Sequence, residues 1–225
     1  MRVKPIHSWD ITKNDAIPLQ KKLAQQTQFK PLKKDPKIIA GTDISFQGDT
    51  AYAGAVLFKL PSLEPIGNFI YKGKVSFPYV PGLLSFREAP ILLELFKLIK
   101  PTPDLIFIDG HGLAHPRKLG LASHIGLFLQ KPTIGCGKSR LCGSFEDPSA
   151  SKGSHSQLLN KSDEPIGAVV RTKERCKPVF VSPGHLIDSS DAITWTLRCI
   201  SKYRIPEPTR LAHNFVTDYK RQKSK

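Results

Sequence analysis

The pattern of apolar and polar positions changes character twice along the chain. Residues 1–37 are polar and lysine-rich, and within them only Pro18 to Gln28 has a helix-like pattern. Three strand-like runs follow: Lys37 to Phe46, Ala51 to Leu60, and Pro65 to Val75. Gly48-Asp49 and Pro61-Ser62 punctuate them as hairpin turns do. Consecutive short strands with tight turns predict an antiparallel meander.

After Pro78 the period lengthens. Leu92, Leu95, Phe96 and Ile99 recur every three or four residues, as on one helix face. Pro101 and Pro103 end that helix. Leu105-Ile106-Phe107-Ile108 is a short continuous apolar run, which is how a strand buried on both faces reads. A glycine- and histidine-rich loop from Gly110 to His115 leads to a helical stretch, Lys118 to Leu129, and a strand, Pro132 to Cys136. Strand, helix, strand, helix, strand predicts parallel pairing with crossover helices. Ser144 to Glu164 is polar and reads as a surface insertion. Ile166 to Val170 and Val179 to Val181 suit a late hairpin, and Ser189 to Ser201 and Thr209 to Lys220 suit helices. In the last helix Leu211, Phe215 and Tyr219 mark the expected buried side. The order implies an α/β fold: three antiparallel strands followed by parallel strands in a mixed sheet flanked by helices, similar to the RNase H-like arrangement. Periodicity alone does not fix that topology.

Composition narrows the partner. The 225 residues suit one domain spanning 1–225, with a basic N-terminal segment 1–36 and a flexible basic tail 221–225. Lysine and arginine number 34 against 19 acidic residues, a net charge of +15. That excess favours a polyanion, nucleic acid before an anionic membrane. No run approaches the roughly 18 apolar residues of a spanning helix, and Met1 to Gln20 has no signal-peptide core. Cys136, Cys142, Cys176 and Cys199 match neither a zinc ribbon nor a Cys-x-x-Cys pair, so free thiols in a reducing cytoplasm are expected.

Three carboxylates then stand out. Asp43 interrupts the first strand between apolar neighbours, where a charge needs a partner or a metal. Asp109 closes the buried strand, at the kind of strand end where ligands gather; before Gly110 it also fits a turn. Glu88 lies near the start of the first long helix, where Ser85-Phe86-Arg87-Glu88 equally fits a capping box. Carboxylates without thiolates suit Mg²⁺ or Mn²⁺, and a few acids in a basic field are what a metal-dependent nuclease needs. Lys138, in Gly135-Cys136-Gly137-Lys138-Ser139, sits beyond a strand end and can meet a developing oxyanion. Pro132 occupies the first glycine position of a phosphate loop, which argues against an NTPase. His111 and His115 lie in a loop rather than on a helix, so a zinc pair is not expected. His213 points away from the expected buried stripe, as a surface histidine or a fourth group of a metal site. In Phe77-Pro78-Tyr79-Val80-Pro81-Gly82 two prolines hold Tyr79 out, either as a packed loop residue or as a wedge beside an extruded base.

Taken in order, these segments resemble the endonuclease V family of deoxyinosine 3′ endonucleases. The resemblance runs through Gly41-Thr42-Asp43, Pro78 to Gly82, Leu84 to Glu88, Asp109 to Arg117, Gly120 to His124, Val181 to His185 and Pro206 to Ala212. It implies cleavage of the second phosphodiester bond 3′ to inosine in DNA, with Mg²⁺ or Mn²⁺, leaving a 5′-phosphate. By the same resemblance Asp43, Glu88 and Asp109 hold metal, and Tyr79 is the wedge. Gly82, Leu84, Gly110, His115 and Gly135 line the lesion pocket. Lys138 lies near the scissile phosphate, and His213 is a further active-site group. Two departures are visible. The family often has Gly-Val-Ala-Lys where this chain has Gly135-Cys136-Gly137-Lys138, and the 144–164 region is longer. A cytoplasmic monomer acting on deoxyinosine-containing DNA is expected. A ribonuclease for inosine-containing RNA, possible single-stranded substrates, and a non-catalytic nucleic-acid-binding module remain alternatives; the intact acids count against the last.

Overall fold

Thr12 starts the first helix, α1 (Lys13–Ala24), ahead of the stretch that the sequence pattern marks. Its hydroxyl accepts from the Asp15 amide and the Asp15 carboxylate accepts from the Thr12 amide, both at 3.3 Å. This reciprocal cap sets the helix start, and Pro18 is carried inside the helix. The structure, a computed structural model, describes residues 1–223. The polar N-terminal segment is an integral layer: Met1, Val3, Ile6 and Trp9 pack on the core, and Ala16, Gln20 and Leu23 are buried.

Ile38–Gln47 (β1), Thr50–Lys59 (β2) and Glu64–Lys74 (β3) form the antiparallel meander. Then come α2 (Leu84–Leu98), β4 (Leu105–Ile108), α3 (Leu121–Leu129) and β5 (Thr133–Gly137). β1, β4 and β5 pair in parallel through these crossovers. The chain continues with β6 (His155–Leu159), β7 (Pro165–Val170), β8 (Val179–His185), α4 (Ser189–Arg198) and α5 (Glu207–Lys223). The sheet has eight strands in the order β3-β2-β1-β4-β5-β8-β7-β6, an RNase H-like mixed sheet as the sequence implies. Alternation splits the core between its faces. Ala40, Ile106 and Ile108 join the side of α2 and α3, whereas Ile39, Leu105 and Phe107 join the side of α4 and α5.

Four expectations are corrected. Ser144 to Glu164 contributes β6, an edge strand paired with β7, in which Leu158 alone is buried; one covered position cannot produce an alternating pattern. Ser85 does not cap α2. The cap position is Leu83 without a side-chain bond, and Ser85 Oγ pairs with His124 Nδ1 at 3.0 Å. The buried side of α5 is Pro208, Thr209, Ala212 and Val216, with Leu211, Phe215 and Tyr219 only partly covered. Small residues win there because α5 lies directly on strand glycines. A Cβ on Gly41 would stand 2.0 Å from the Pro208 carbonyl oxygen, and one on Gly54 would stand 2.2 Å from Val216 Cγ2. Finally, Arg221 to Lys223 complete α5 rather than forming a free tail, and Ser224 and Lys225 lie outside the described residues. The four cysteines form no disulfide; Cys136 and Cys199 are buried. No helix among the described residues is long and apolar enough to cross a membrane.

Candidate active site

The carboxyl ends of the three parallel strands converge. Asp43 shares its face of β1 with Ile39 and Gly41, and so turns toward α5. Asp109 stands one step beyond the registered pair Thr42–Ile108, and its amide donates to the Thr42 carbonyl at 3.4 Å. It continues the α5-facing series Leu105, Phe107. Lys138 follows the last residue of β5, and its Nζ lies 2.5 Å from Asp109 Oδ2. His213 comes from α5, where its Nδ1 donates to Asp43 Oδ2 at 2.8 Å. One ligand atom from each of Asp43, Asp109 and His213 falls within 4.8 Å of the others. His213 is therefore no idle surface histidine: it is solvent-facing and joined to the acid on β1.

The cluster is short of positive charge. Burial raises the Asp43 pKa, the Asp109 charge raises it further, and His213 and Lys138 only partly offset this. Glu88, buried on α2, is pushed up to about 8 by desolvation and then by the Asp43 and Asp109 charges. Glu88 thus senses both acids, although its oxygens fall outside the tight group of three. Crowded carboxylates with elevated proton affinity are relieved by a divalent cation, and a set of oxygens with one imidazole suits Mg²⁺ or Mn²⁺. The donor set fits such an ion, with Asp43 and Asp109 as the first candidates to hold it.

A cavity of about 180 Å³ opens beside Asp109. Tyr79, Gly82, Leu84, Gly110 and His115 line it. Gly135 does not. It lies behind the wall, where a Cβ would meet the Gly112 amide nitrogen at 2.5 Å, so its bareness lets the Gly110–Gly112 loop pack against β5. Tyr79 is 71% exposed at the rim. The Gly82 carbonyl fastens the rim from below, accepting from His115 Nε2 at 3.0 Å, Arg117 Nη2 at 2.6 Å and Gln20 Nε2 at 3.2 Å. His115 Nδ1 accepts from the Arg117 amide at 3.1 Å, so neither nitrogen is free. Burial, then the Arg117 charge, lowers its pKa to about 4.

The model of the family described as Endonuclease V matches residues 20–214 of this chain. The chain belongs to the endonuclease V family. An endonuclease V from Petrotoga mobilis is 41% identical over 222 residues, covering 99% of this chain and 100% of the relative. The solved endonuclease V of Streptomyces avermitilis superposes with a TM-score of 0.91 at 37% identity, covering 100% of both chains. An endonuclease V of Ciona intestinalis, solved with DNA containing an inosine followed by a ribo-adenosine, gives a TM-score of 0.80 at 26% identity, covering 94% of this chain and 99% of that one.

Reading the sequence as an endonuclease V still misses several residues around the site. Arg204 donates to the carbonyls of Lys138 at 2.7 Å, Pro178 at 2.8 Å and Lys177 at 2.6 Å, and so ties down the backbone that carries Lys138. Nothing local announces it, because all its partners are carbonyls distant in sequence. Gln20, which also accepts from Arg117 Nε, comes from α1 and gives no signal in an otherwise polar segment. Ser85 also lines the cavity, although its sequence context suggested only a helix cap.

Proposed function

We propose that the whole chain acts as one domain, a divalent-metal-dependent endonuclease that cuts DNA at the second phosphodiester bond 3′ to deoxyinosine. The observation that carries this reading is the junction of the Asp43–Asp109–His213 group with a base-sized cavity: Asp109 belongs to both. The cavity compares with those of about 150 Å³ that hold benzene. The inosine-containing DNA in the Ciona intestinalis relative supports the same substrate.

Asp43 and Asp109 would hold Mg²⁺ or Mn²⁺, with Glu88 and His213 beside them. When bound, the ion supplies Lewis acidity toward the phosphodiester and lowers the pKa of a coordinated water. The protein does the rest. Tyr79 stands at the rim to fill the gap left when the base leaves the stack. The loops at Gly82–Leu84 and Gly110 offer backbone groups to the extruded base, and His115 and Gly135 hold those loops in place. Lys138 directs its ammonium at the phosphate beside Asp109 and stabilises charge developing on an oxygen. Hydrolysis at the 3′ oxygen leaves a 3′-hydroxyl and a 5′-phosphate. The net charge of +15 holds the backbone.

The test is cleavage mapping at nucleotide resolution on a duplex with one deoxyinosine, in Mg²⁺ and in EDTA. A single Mg²⁺-dependent nick at the second bond is expected. Uncut duplex with folded protein overturns the reading, and preferential cutting of a matched inosine-containing RNA reassigns the substrate.

A further inference from the structure

Ser85 lies in the first turn of α2 and contributes to the cavity wall. Behind it runs a chain of hydrogen bonds that ends at the N-terminal segment. Ser85 Oγ is 3.0 Å from His124 Nδ1. His124, wholly buried in α3, has its Nε2 2.8 Å from His7 Nε2. His7 Nδ1 is 2.7 Å from the carbonyl oxygen of Ser8. Aromatic rings fix both imidazoles: Trp9 meets His7 edge-on at 4.4 Å between centroids, and Phe86 meets His124 in the same way at 5.1 Å.

The direction of every bond follows from the far end. A carbonyl only accepts, so His7 Nδ1 carries a hydrogen. Both rings are neutral at pH 7. Burial lowers the His7 pKa, and burial followed by the proximity of His7 lowers that of His124 much further. A neutral imidazole has one N–H, so His7 Nε2 is bare and accepts from His124 Nε2. His124 Nδ1 is then bare as well and accepts the hydroxyl hydrogen of Ser85. The Ser85 proton therefore points into the protein, and its oxygen can offer the cavity only lone pairs.

We propose that His7 and His124 are positioning residues that hold Ser85 as an acceptor-only oxygen in the base pocket, selecting a purine with a ring N–H over one with a bare ring nitrogen. This rests on the reading that the cavity takes an extruded base. A 6-oxopurine carries hydrogen on N1 and satisfies such an oxygen. A purine with an unprotonated N1 sets lone pair against lone pair in a desolvated pocket, which leaves both unpaired.

The experiment compares kcat/KM on duplexes carrying deoxyinosine or deoxynebularine, whose N1 bears no hydrogen. The proteins are wild type, Ser85→Ala, His7→Gln and His7→Lys, with folding verified by circular dichroism. Glutamine can still accept from His124 Nε2 through its oxygen and preserves the chain. Lysine can only donate, which reverses every bond and turns the Ser85 hydrogen into the pocket. The deoxyinosine/deoxynebularine ratio is expected to hold in His7→Gln and to fall roughly tenfold in Ser85→Ala and His7→Lys. A structural defect lowers both substrates equally and leaves the ratio alone, so an unchanged ratio in Ser85→Ala and His7→Lys overturns the proposal. If wild type cuts neither duplex, it is the nuclease reading that fails; if wild type cuts deoxyinosine normally, only the positioning role is on trial.

Discussion

His213 Nδ1 donates to Asp43 Oδ2 at 2.8 Å, a bond between residues 170 positions apart that joins the last helix to the first strand. Its second nitrogen is left to solvent or ligand. If Asp43 holds the ion as proposed, a partner that fixes its carboxylate rotamer tunes affinity for the metal. His213→Ala is therefore expected to lower apparent Mg²⁺ affinity roughly 10- to 100-fold. A Mg²⁺ titration of cleavage rate checks it: the midpoint should move, with the maximal rate recovering in part at high Mg²⁺. A midpoint equal to wild type removes His213 from the metal site.

Lys138 is held at both ends, by Asp109 on its ammonium and by Arg204 on its carbonyl. Removing the ammonium in Lys138→Ala should reduce kcat about 100-fold. Arg204→Ala should also lower kcat, by a smaller factor, with KM nearly unchanged. Arg204→Lys should fail to restore it, since a lysine cannot fork to three carbonyls. Steady-state kinetics on the inosine duplex separate these outcomes, and full activity in Arg204→Ala discards the tether.

Tyr79 spends its side chain on the surface rather than on the core. Tyr79→Ala should change unfolding free energy by less than about 0.5 kcal/mol. Cleavage should drop more for duplex than for single-stranded inosine DNA, because only the duplex has a stack to part. Equal losses on both substrates would mean that the ring contacts the strand without separating it.

Buried neutral histidines should cost the fold stability in mild acid. His115 and His185 have pKa values lowered to about 4, both by burial first. The ordinary value is 6.5, so between these limits the unfolded chain binds more protons than the folded one. Their neutral-state contribution is complete above pH 6.5 and is lost as pH falls toward 4, at most roughly 3 kcal/mol for His115. Chemical denaturation of wild type and His115→Gln at pH 7.5, 6, 5 and 4.5 should show this contribution as a difference in slope, with the variant losing less stability toward acid. Glu88, raised to about 8, acts in the opposite sense over the same range, so the comparison between the two proteins is the measure, and equal slopes for wild type and His115→Gln contradict the role given to His115.

Much of the framework was legible because burial writes itself into side-chain chemistry. Leu105 to Ile108 has four apolar residues buried on both faces, and the sequence shows it. Asp43 was legible because a charge between apolar strand neighbours needs a partner, and Asp109 because it stands at a strand end, although a turn before Gly110 accounted for it equally. What stayed hidden depends on partners far along the chain. Ser85 looks like a cap until His124 is beside it. The inner side of α5 looks like Leu211, Phe215 and Tyr219 until Gly41 and Gly54 are seen to admit the helix so closely that only smaller residues fit. β6 was unreadable because its single buried residue sets no period.

The seat of α5 on β1 also has a consequence in time. Ribosomes make proteins from one end, and Asp43 emerges long before His213 can meet it. During that interval the nascent polypeptide holds its acids without their imidazole partner, and the groove above β1 stands open. The Asp43–His213 bond is thereby deferred until translation has passed the final helix, so an unfinished chain carries the acidic cluster without the imidazole that completes it.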